Sequence, residues 1–485
     1  MTITSGKHEN FQECNHWCAA RSICFFALAL TVISAARCQI APLEKNKPTY
    51  LHTIDPLGIT QAIRNGDSDK LATLSKSPIS PTMQAYALAG YYRSIFQIHQ
   101  STQYAQQCYD DALRQLPRAV VEALRCGELL AGNYAISGRT SDWARTMQDT
   151  RDDLYSVAVD SLHNTNIVFP GFGTISHRID MSSFYIFPDE TVTGNSRKNI
   201  IIPRVLASGS RPGANAFKTS ICQLGIRCFG KYLYYINVTI NGKNVVAAID
   251  TGSGTSTVPT SEKGNLEVHY VPTPYYPISY GQDQSTQRQD NLGYINYIRI
   301  RTSSGSYIVL KNSNVRIGGQ KAHNIDIILG LNAINRLGTV LLEENKIIVN
   351  PNVSMQCNKP IHVGTINLFS GYTIFFKEII NGSEQNVLLD TGQNQYMFGT
   401  SLSNLKDSSS QEMETHSETV SGNVDSLYYP ATVNIGNGIH AKEMTIAVFP
   451  NEHIEYPYVF GADILQDHNI FLDFKNGKGC LIPTL

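Results

Sequence analysis

The apolar positions of this chain change their period part-way along it. From about residue 52 to 163 they recur at helical spacing, Ala, Leu, Gln and Arg dominate and Gly is scarce, which predicts a set of helices. Residues 164–227 are richer in Gly, Ser and Pro, with brief apolar runs such as Ile200-Ile201-Ile202, and read as a linker plus a first strand. Beyond residue 228 the apolar runs are short and punctuated by turn residues, the pattern of β-strands. Twice in this part an Asn-Gly pair, the strongest short hairpin signal, sits between two apolar runs: at Asn241-Gly242 and at Asn381-Gly382.

Each hairpin signal leads to the same tripeptide. The run ending Ala247-Ala248-Ile249 is followed by Asp250-Thr251-Gly252, and the run Val387-Leu388-Leu389 by Asp390-Thr391-Gly392. Asn241 precedes Asp250 by the same nine positions that separate Asn381 from Asp390. One such tripeptide is expected by chance in a chain this long roughly one time in ten, so two copies in one frame point to a duplication. The repeat goes on. Ile327-Ile328-Leu329-Gly330 and Tyr458-Val459-Phe460-Gly461 are each followed by a polar residue (Asn332, Asp463) and an aliphatic one (Ile334, Leu465). Closing strands then follow: Thr339-Val340-Leu341-Leu342 and Ile347-Ile348-Val349 in the first half, Ile470 to Phe474 and Cys480-Leu481-Ile482 in the second. Two carboxylates delivered from equivalent loops can share one proton and activate a water.

This duplicated frame resembles the aspartic peptidases of the retropepsin and pepsin group, over about residues 228–485. The halves, 228–352 and 361–485, are each of retropepsin length, so the resemblance implies two all-β retropepsin-like lobes fused in one chain as a pseudo-dimeric acid-protease fold. It implies Asp250 and Asp390 as the catalytic pair, supported by Thr251, Gly252 and Ser253 in one loop and Thr391, Gly392 and Gln393 in the other. Thr251 and Thr391 would bond across the lobe interface. Gly252 and Gly392 would let the backbone turn tightly. Gly330 and Gly461 would lie in the segment crossing behind each catalytic loop, where a side chain would clash. Tyr280 and Gly281, in Ile278-Ser279-Tyr280-Gly281, and Gly422 of the second half match the flap that covers a peptide substrate, although an exposed polar loop has the same composition. The residue after Asp-Thr-Gly in this family is small. Ser253 fits, with a hydroxyl able to bond its carboxylate; Gln393 does not. Two functions therefore fit: an aspartic endopeptidase that hydrolyses peptide bonds, or a catalytically weak or inactive peptide-binding pseudoprotease. Neither needs a cofactor or metal, and no Cys-x-x-Cys or His cluster offers one.

Within the helical region, Ala105, Tyr109, Ala112 and Pro117 have the spacing of the second helix of a tetratricopeptide repeat, which this region (52–163) resembles in degenerate form. Such hairpins bind a protein partner or pack on a neighbouring domain. At the start, a polar stretch with Lys7 and Arg21, an apolar run from Ile23 to Ile33 and Ser34-Ala35-Ala36 together form a signal peptide over residues 1–36. The run is too short for a stable membrane span, and Arg37 before Cys38 argues against a lipoprotein; left uncut, the segment would serve as an anchor. The expected location is exported, periplasmic or secreted. Export would permit disulfides: Cys108 with Cys126 across adjacent helices, Cys222 with Cys228 across a short loop, leaving Cys357 and Cys480. Buried free thiols are the alternative, and spacing does not fix connectivity. A formal net charge of −1 over 485 residues, without basic runs, argues against a nucleic-acid partner, while 25 tyrosines suit a β-rich protein with a substrate groove.

Overall fold

In the computed structural model the described residues are 49–50, 58–157, 167–169, 173–175, 187–205, 233–271, 278–280, 287–289, 291–321, 325–352, 357, 361–365, 368–369, 371–393, 396–399, 413–419, 422–436, 442–449 and 456–484. The signal-peptide segment, Cys38, the Cys222–Cys228 loop and Gly281 lie outside them. Helices fill the N-terminal part and the remainder is mostly β.

Among the described residues six α-helices follow the short strand Thr49–Tyr50: α1 (Ile59–Arg64), α2 (Ser68–Leu74), α3 (Pro81–Ser94), α4 (Ile98–Leu113), α5 (Val120–Ile136) and α6 (Thr140–Ser156). Their starts follow from local chemistry. Asp67 accepts from the Lys70 N–H at the head of α2, and Ser80 accepts from the Met83 N–H ahead of Pro81, which opens α3 where a missing N–H costs nothing. From α3 onward each helix packs on the next. Ala105, Tyr109 and Ala112 are all buried on α4. Cys108 of α4 and Cys126 of α5 form a disulfide with Cα atoms 5.7 Å apart, worth about 3 kcal/mol for a loop of this size. The helices pack on the neighbouring β part of the chain. Arg93 Nη1 donates to the Leu368 carbonyl at 2.7 Å and Trp143 Nε1 to the Phe369 carbonyl at 2.9 Å, so the beginning of the second half is held by α3 and α6.

Both Asn-Gly hairpins form. Tyr235–Ile240 pairs with Lys243–Ile249, and Thr373–Ile380 with Ser383–Leu389. Asn241 and Gly242 both have positive φ (46° and 89°), as do Asn381 and Gly382 (50° and 77°), the conformation a two-residue turn matching strand twist requires. The halves also share a β topology. Ile327–Leu329 runs parallel to Lys243–Ile249 and meets Ser256–Val258 at Thr257. Tyr458–Phe460 does the same against Ser383–Leu389 and Met397–Gly399.

The closing strands join the halves. Thr339–Glu343 pairs antiparallel with His468–Asp473, bringing Leu342 opposite Ile470 and Val340 opposite Leu472. All four side chains are fully buried, and at about 1.5–3 kcal/mol each they outweigh the ~1 kcal/mol net of each ladder hydrogen bond, so apolar burial holds the halves together. One apolar core runs through both, containing Ile249 and Leu329 as well as Leu389 and Phe460. A second disulfide, Cys357–Cys480, ties the junction between the halves to the last strand.

The stretch read as linker plus first strand is more deeply built in than that reading implies. Ile200–Val205 bridges Lys346–Val349 on one side and Tyr235–Ile240 on the other, and Thr191–Thr193 pairs with the strand Tyr307–Ile317. Its Gly and Ser residues masked the alternation of Ile200 and Ile202, both buried, with the exposed Ile201.

Candidate active site

The two Asp-Thr-Gly loops meet face to face. Each Asp follows a strand that has just turned back, and each main-chain N–H of that Asp is fixed from behind: Asp250 N–H donates to the Leu329 carbonyl (3.0 Å) and Asp390 N–H to the Phe460 carbonyl (2.8 Å). The next residues lock the loops to one another. Thr251 and Thr391 are wholly buried. Thr251 N–H donates to Thr391 Oγ1 at 3.1 Å, and Thr391 N–H to Thr251 Oγ1 at 3.0 Å. The hydroxyls then donate onward, Thr251 to the Leu389 carbonyl (3.0 Å) and Thr391 to the Ile249 carbonyl (2.9 Å). These four hydrogen bonds, two in each direction, satisfy the buried polar groups and offset the cost of burying them.

This lock brings the carboxylates together. The Asp250 side chain shares a hydrogen bond with that of Asp390. A Cβ placed on Gly392 would stand 2.6 Å from Asp250 Cγ, and one on Gly252 would collide with the Asp390 carboxyl carbon. The reason for glycine at these positions therefore differs from the sequence expectation. Neither glycine has positive φ; each is needed because the opposite carboxylate occupies the space a side chain would take.

Burial pushes the Asp250 carboxyl above its ordinary value of 3.8. Four things oppose that push: the bond with Asp390, the N–H groups of Gly252 and Ser253, and the Arg316 guanidinium. The N–H groups donate to Asp250 Oδ1 at 2.8 and 3.1 Å. In the second loop Gly392 N–H donates to Asp390 Oδ1 at 2.9 Å, but the Gln393 N–H turns to the Asp390 main-chain carbonyl at 3.1 Å. Ser253 also departs from expectation. Its hydroxyl donates to the Thr255 carbonyl (2.7 Å) and accepts from Arg316 Nη2 (3.1 Å), so its main chain serves the carboxylate.

Gly330 lies against the first loop: a Cβ there would sit 2.6 Å from the Ser253 carbonyl oxygen. Just beyond it, Leu331 N–H donates to that carbonyl at 2.7 Å. Past Gly461, Ala462 N–H donates to the Gln393 carbonyl at the same distance. The polar residues two positions on have diverged. Asn332 Oδ1 accepts from Ser256 N–H (2.7 Å) and Oγ (2.8 Å), and its Nδ2 donates to Glu190 and to the Asn314 carbonyl. Asp463 is buried with no hydrogen bond to Oδ2, and burial pushes its carboxyl up to about 7.

Tyr280 and Gly422, expected in a flap, both lie on strands. Tyr280 ends a strand Ile278–Tyr280 that pairs with Gln287–Gln289, Tyr280 facing Gln287. Gly422 begins the strand Gly422–Ile435 and pairs with Thr419 of the strand Met413–Thr419. Three residues near the loops escaped the sequence reading. Arg316 is reached only through the strand Tyr307–Ile317. Glu190, whose carboxyl burial raises, holds Asn332 and lies 3.6 Å from Arg336. Tyr372 packs its main chain against Gly254, the next glycine along from Ser253. None belongs to a repeated motif, so no spacing marked them.

No family model matches the chain, and no curated protein matches it. Among solved structures it is similar to basic 7S globulin from soybean, with 11% identity, a TM-score of 0.34, and coverage of 59% of this chain and 96% of that one. It is likewise similar to edgp, with 10% identity, a TM-score of 0.34, and coverage of 59% and 95%. A third is a retropepsin-like aspartic protease from Rickettsia conorii, with 17% identity, a TM-score of 0.20, and coverage of 33% and 92%.

Proposed function

We propose that this protein is an aspartic endopeptidase whose two halves act as lobes, each supplying one carboxylate to a single site. The observation that carries this reading is the reciprocal contact in which each carboxylate lies against the glycine of the other loop. Two carboxyls at that separation cannot both ionise cheaply, so they hold one proton between them and titrate as a pair. A water between them loses a proton to the ionised member while the protonated member donates to the carbonyl oxygen of the scissile amide. Acid and base assistance of this kind contributes about 10²–10⁴-fold each. Tyr280, Gly281 and Gly422 take the role of flap, and peptide or protein is the substrate. The helical region, tetratricopeptide-like in its spacing, serves first as a brace on the lobes. Export is the location that fits the two disulfides. Among the described residues no helix is long and apolar enough to cross a membrane.

A specific observation favours the pseudoprotease as a second reading. Gln393 replaces a small residue, and its N–H leaves the carboxylate for the main chain.

The test is incubation with a diverse peptide library from pH 3 to 8, with and without a statine-type inhibitor. Wild type should cleave, with inhibition. Asp250→Asn and Asp390→Asn should each abolish cleavage, and the double variant should lose no more than either, since both serve one mechanism. Absence of cleavage by wild type at every pH would favour the binding reading. Full turnover by Asp390→Asn would remove the two-lobe mechanism.

A further inference from the structure

Away from the dyad, a cavity of about 530 Å³ opens where the helices meet both halves. That is ample for a small organic molecule, since such sites span about 300–1,000 Å³. None of the Asp-Thr-Gly residues line it. Three parts of the chain build it. One is the α3–α4 connection with the first turn of α4, which supply Phe96 and His99, and beside it lies the end of α5 with Ile136; the short helix α7 (Leu331–Arg336) supplies Arg336 as the second, and the turn after His468–Asp473 supplies Phe474 and Lys475 as the third.

Phe96 is the informative residue. It has φ 56°, left-handed backbone that costs a non-glycine residue about 1–2 kcal/mol, at a helix end where glycine is usual. Its ring stands 5.7 Å from Tyr372 and 5.4 Å from Phe474 by centroid, so the unusual backbone sets an aromatic wall between the helices and the second half. Buried Ile136 continues that apolar surface.

The charge of the lining is one-sided. His99, Arg336 and Lys475 line the cavity, and no Asp or Glu is among the described residues that do. His99 and Lys475 are exposed. The nearest carboxylate along the chain, Asp473, is already engaged: Oδ1 accepts from Thr339 Oγ1 (3.1 Å) and Asn476 N–H (3.2 Å), and Oδ2 from Asn476 Nδ2 (2.7 Å). Arg336 lies 3.6 Å from Glu190, which leaves Lys475 as the cation a ligand would neutralise.

From this apolar wall with a cationic rim we infer that the cavity binds a small amphipathic carboxylate, an apolar body on Phe96 and Phe474 with its anion at Lys475. The inference does not depend on the peptidase reading. A peptide C-terminus and a short fatty acid share this chemistry, and the test separates them.

Calorimetric titration of the full chain carrying Asp250→Asn and Asp390→Asn, which prevents turnover, uses three probes: N-acetyl-Leu-Phe, its C-terminal amide, and octanoate. The peptide acid or octanoate should bind, whichever is the tighter naming the source, and the amide should bind at least ten-fold more weakly than the acid. Lys475→Glu, at an exposed position, should weaken the acid at least ten-fold with the melting temperature unchanged. In the chain with both aspartates intact, a saturating statine-type inhibitor should not displace the probe. Equal binding of acid and amide, indifference to Lys475→Glu, displacement by the inhibitor, or no binding of either carboxylate would each overturn the assignment.

Discussion

Thr251 and Thr391 each donate a main-chain N–H to the other's hydroxyl, at 3.1 and 3.0 Å, across an interface from which both side chains are sealed off from water. The two loops therefore cannot move apart without leaving buried donors and acceptors unpaired. Removing one hydroxyl orphans an N–H on the opposite loop and frees a carbonyl behind it. Thr391→Val should cost about 2–4 kcal/mol in urea unfolding, from two lost partners at about 1–3 kcal/mol each with partial relaxation. The double variant with Thr251→Val should cost clearly less than the sum, because each change breaks bonds of the same network. Additive losses would mean that the threonines stabilise their own loops independently.

The contact between Gly392 and the Asp250 carboxyl makes a second prediction. Gly392→Ala places a methyl where Asp250 Cγ stands 2.6 Å away, so the carboxylate must shift by several tenths of an ångström or more. Displacements near 1 Å cost about 10²-fold in rate. Cleavage should fall by about that factor while the protein remains folded by circular dichroism. Undiminished cleavage would show that the dyad tolerates a wider separation than the contact implies.

Asp463 supplies a pH prediction for stability. Its carboxyl is pushed up to about 7 from an ordinary 3.8, burial being the main cause and Arg204 the largest opposing influence. A group that holds its proton more tightly in the folded state lowers stability as pH rises through that window. Asp463→Asn should therefore match wild type near pH 3.5 and exceed it by on the order of 2 kcal/mol at pH 8. The unfolding midpoint in urea across that range is the measurement, and a pH-independent difference would mean that Asp463 ionises normally.

Gln393 is the position on which the two functional readings divide. Its main-chain bonds, from its N–H to the Asp390 carbonyl and to its carbonyl from Ala462 N–H, do not involve the side chain. Gln393→Ser should change unfolding free energy by no more than about 0.5 kcal/mol. Wild type and variant should both cleave peptide. An inert wild type activated by Gln393→Ser would identify the second half as the one that has lost catalysis.

What the sequence by itself determined is local or repeated. Asn-Gly between apolar runs specifies a hairpin because few residues accept two successive positive φ angles. The duplicated frame then marks Asp250 and Asp390, and Gly330 and Gly461, without any knowledge of the contacts between the halves. The pairings Cys108–Cys126 and Cys357–Cys480 were among those open once export was assumed, but the three-dimensional fold chose them. Other features depend on which distant strands and helices become neighbours, and no periodicity encodes that. Only the folded chain brings Arg316 to Ser253 and Glu190 to Asn332, and only there does Ile200–Val205 become an interior strand. It also replaced the reason for Gly252 and Gly392. The sequence allowed a tight turn, whereas the packing shows that each glycine makes room for the carboxylate of the other loop, a steric demand that exists once both loops face one another.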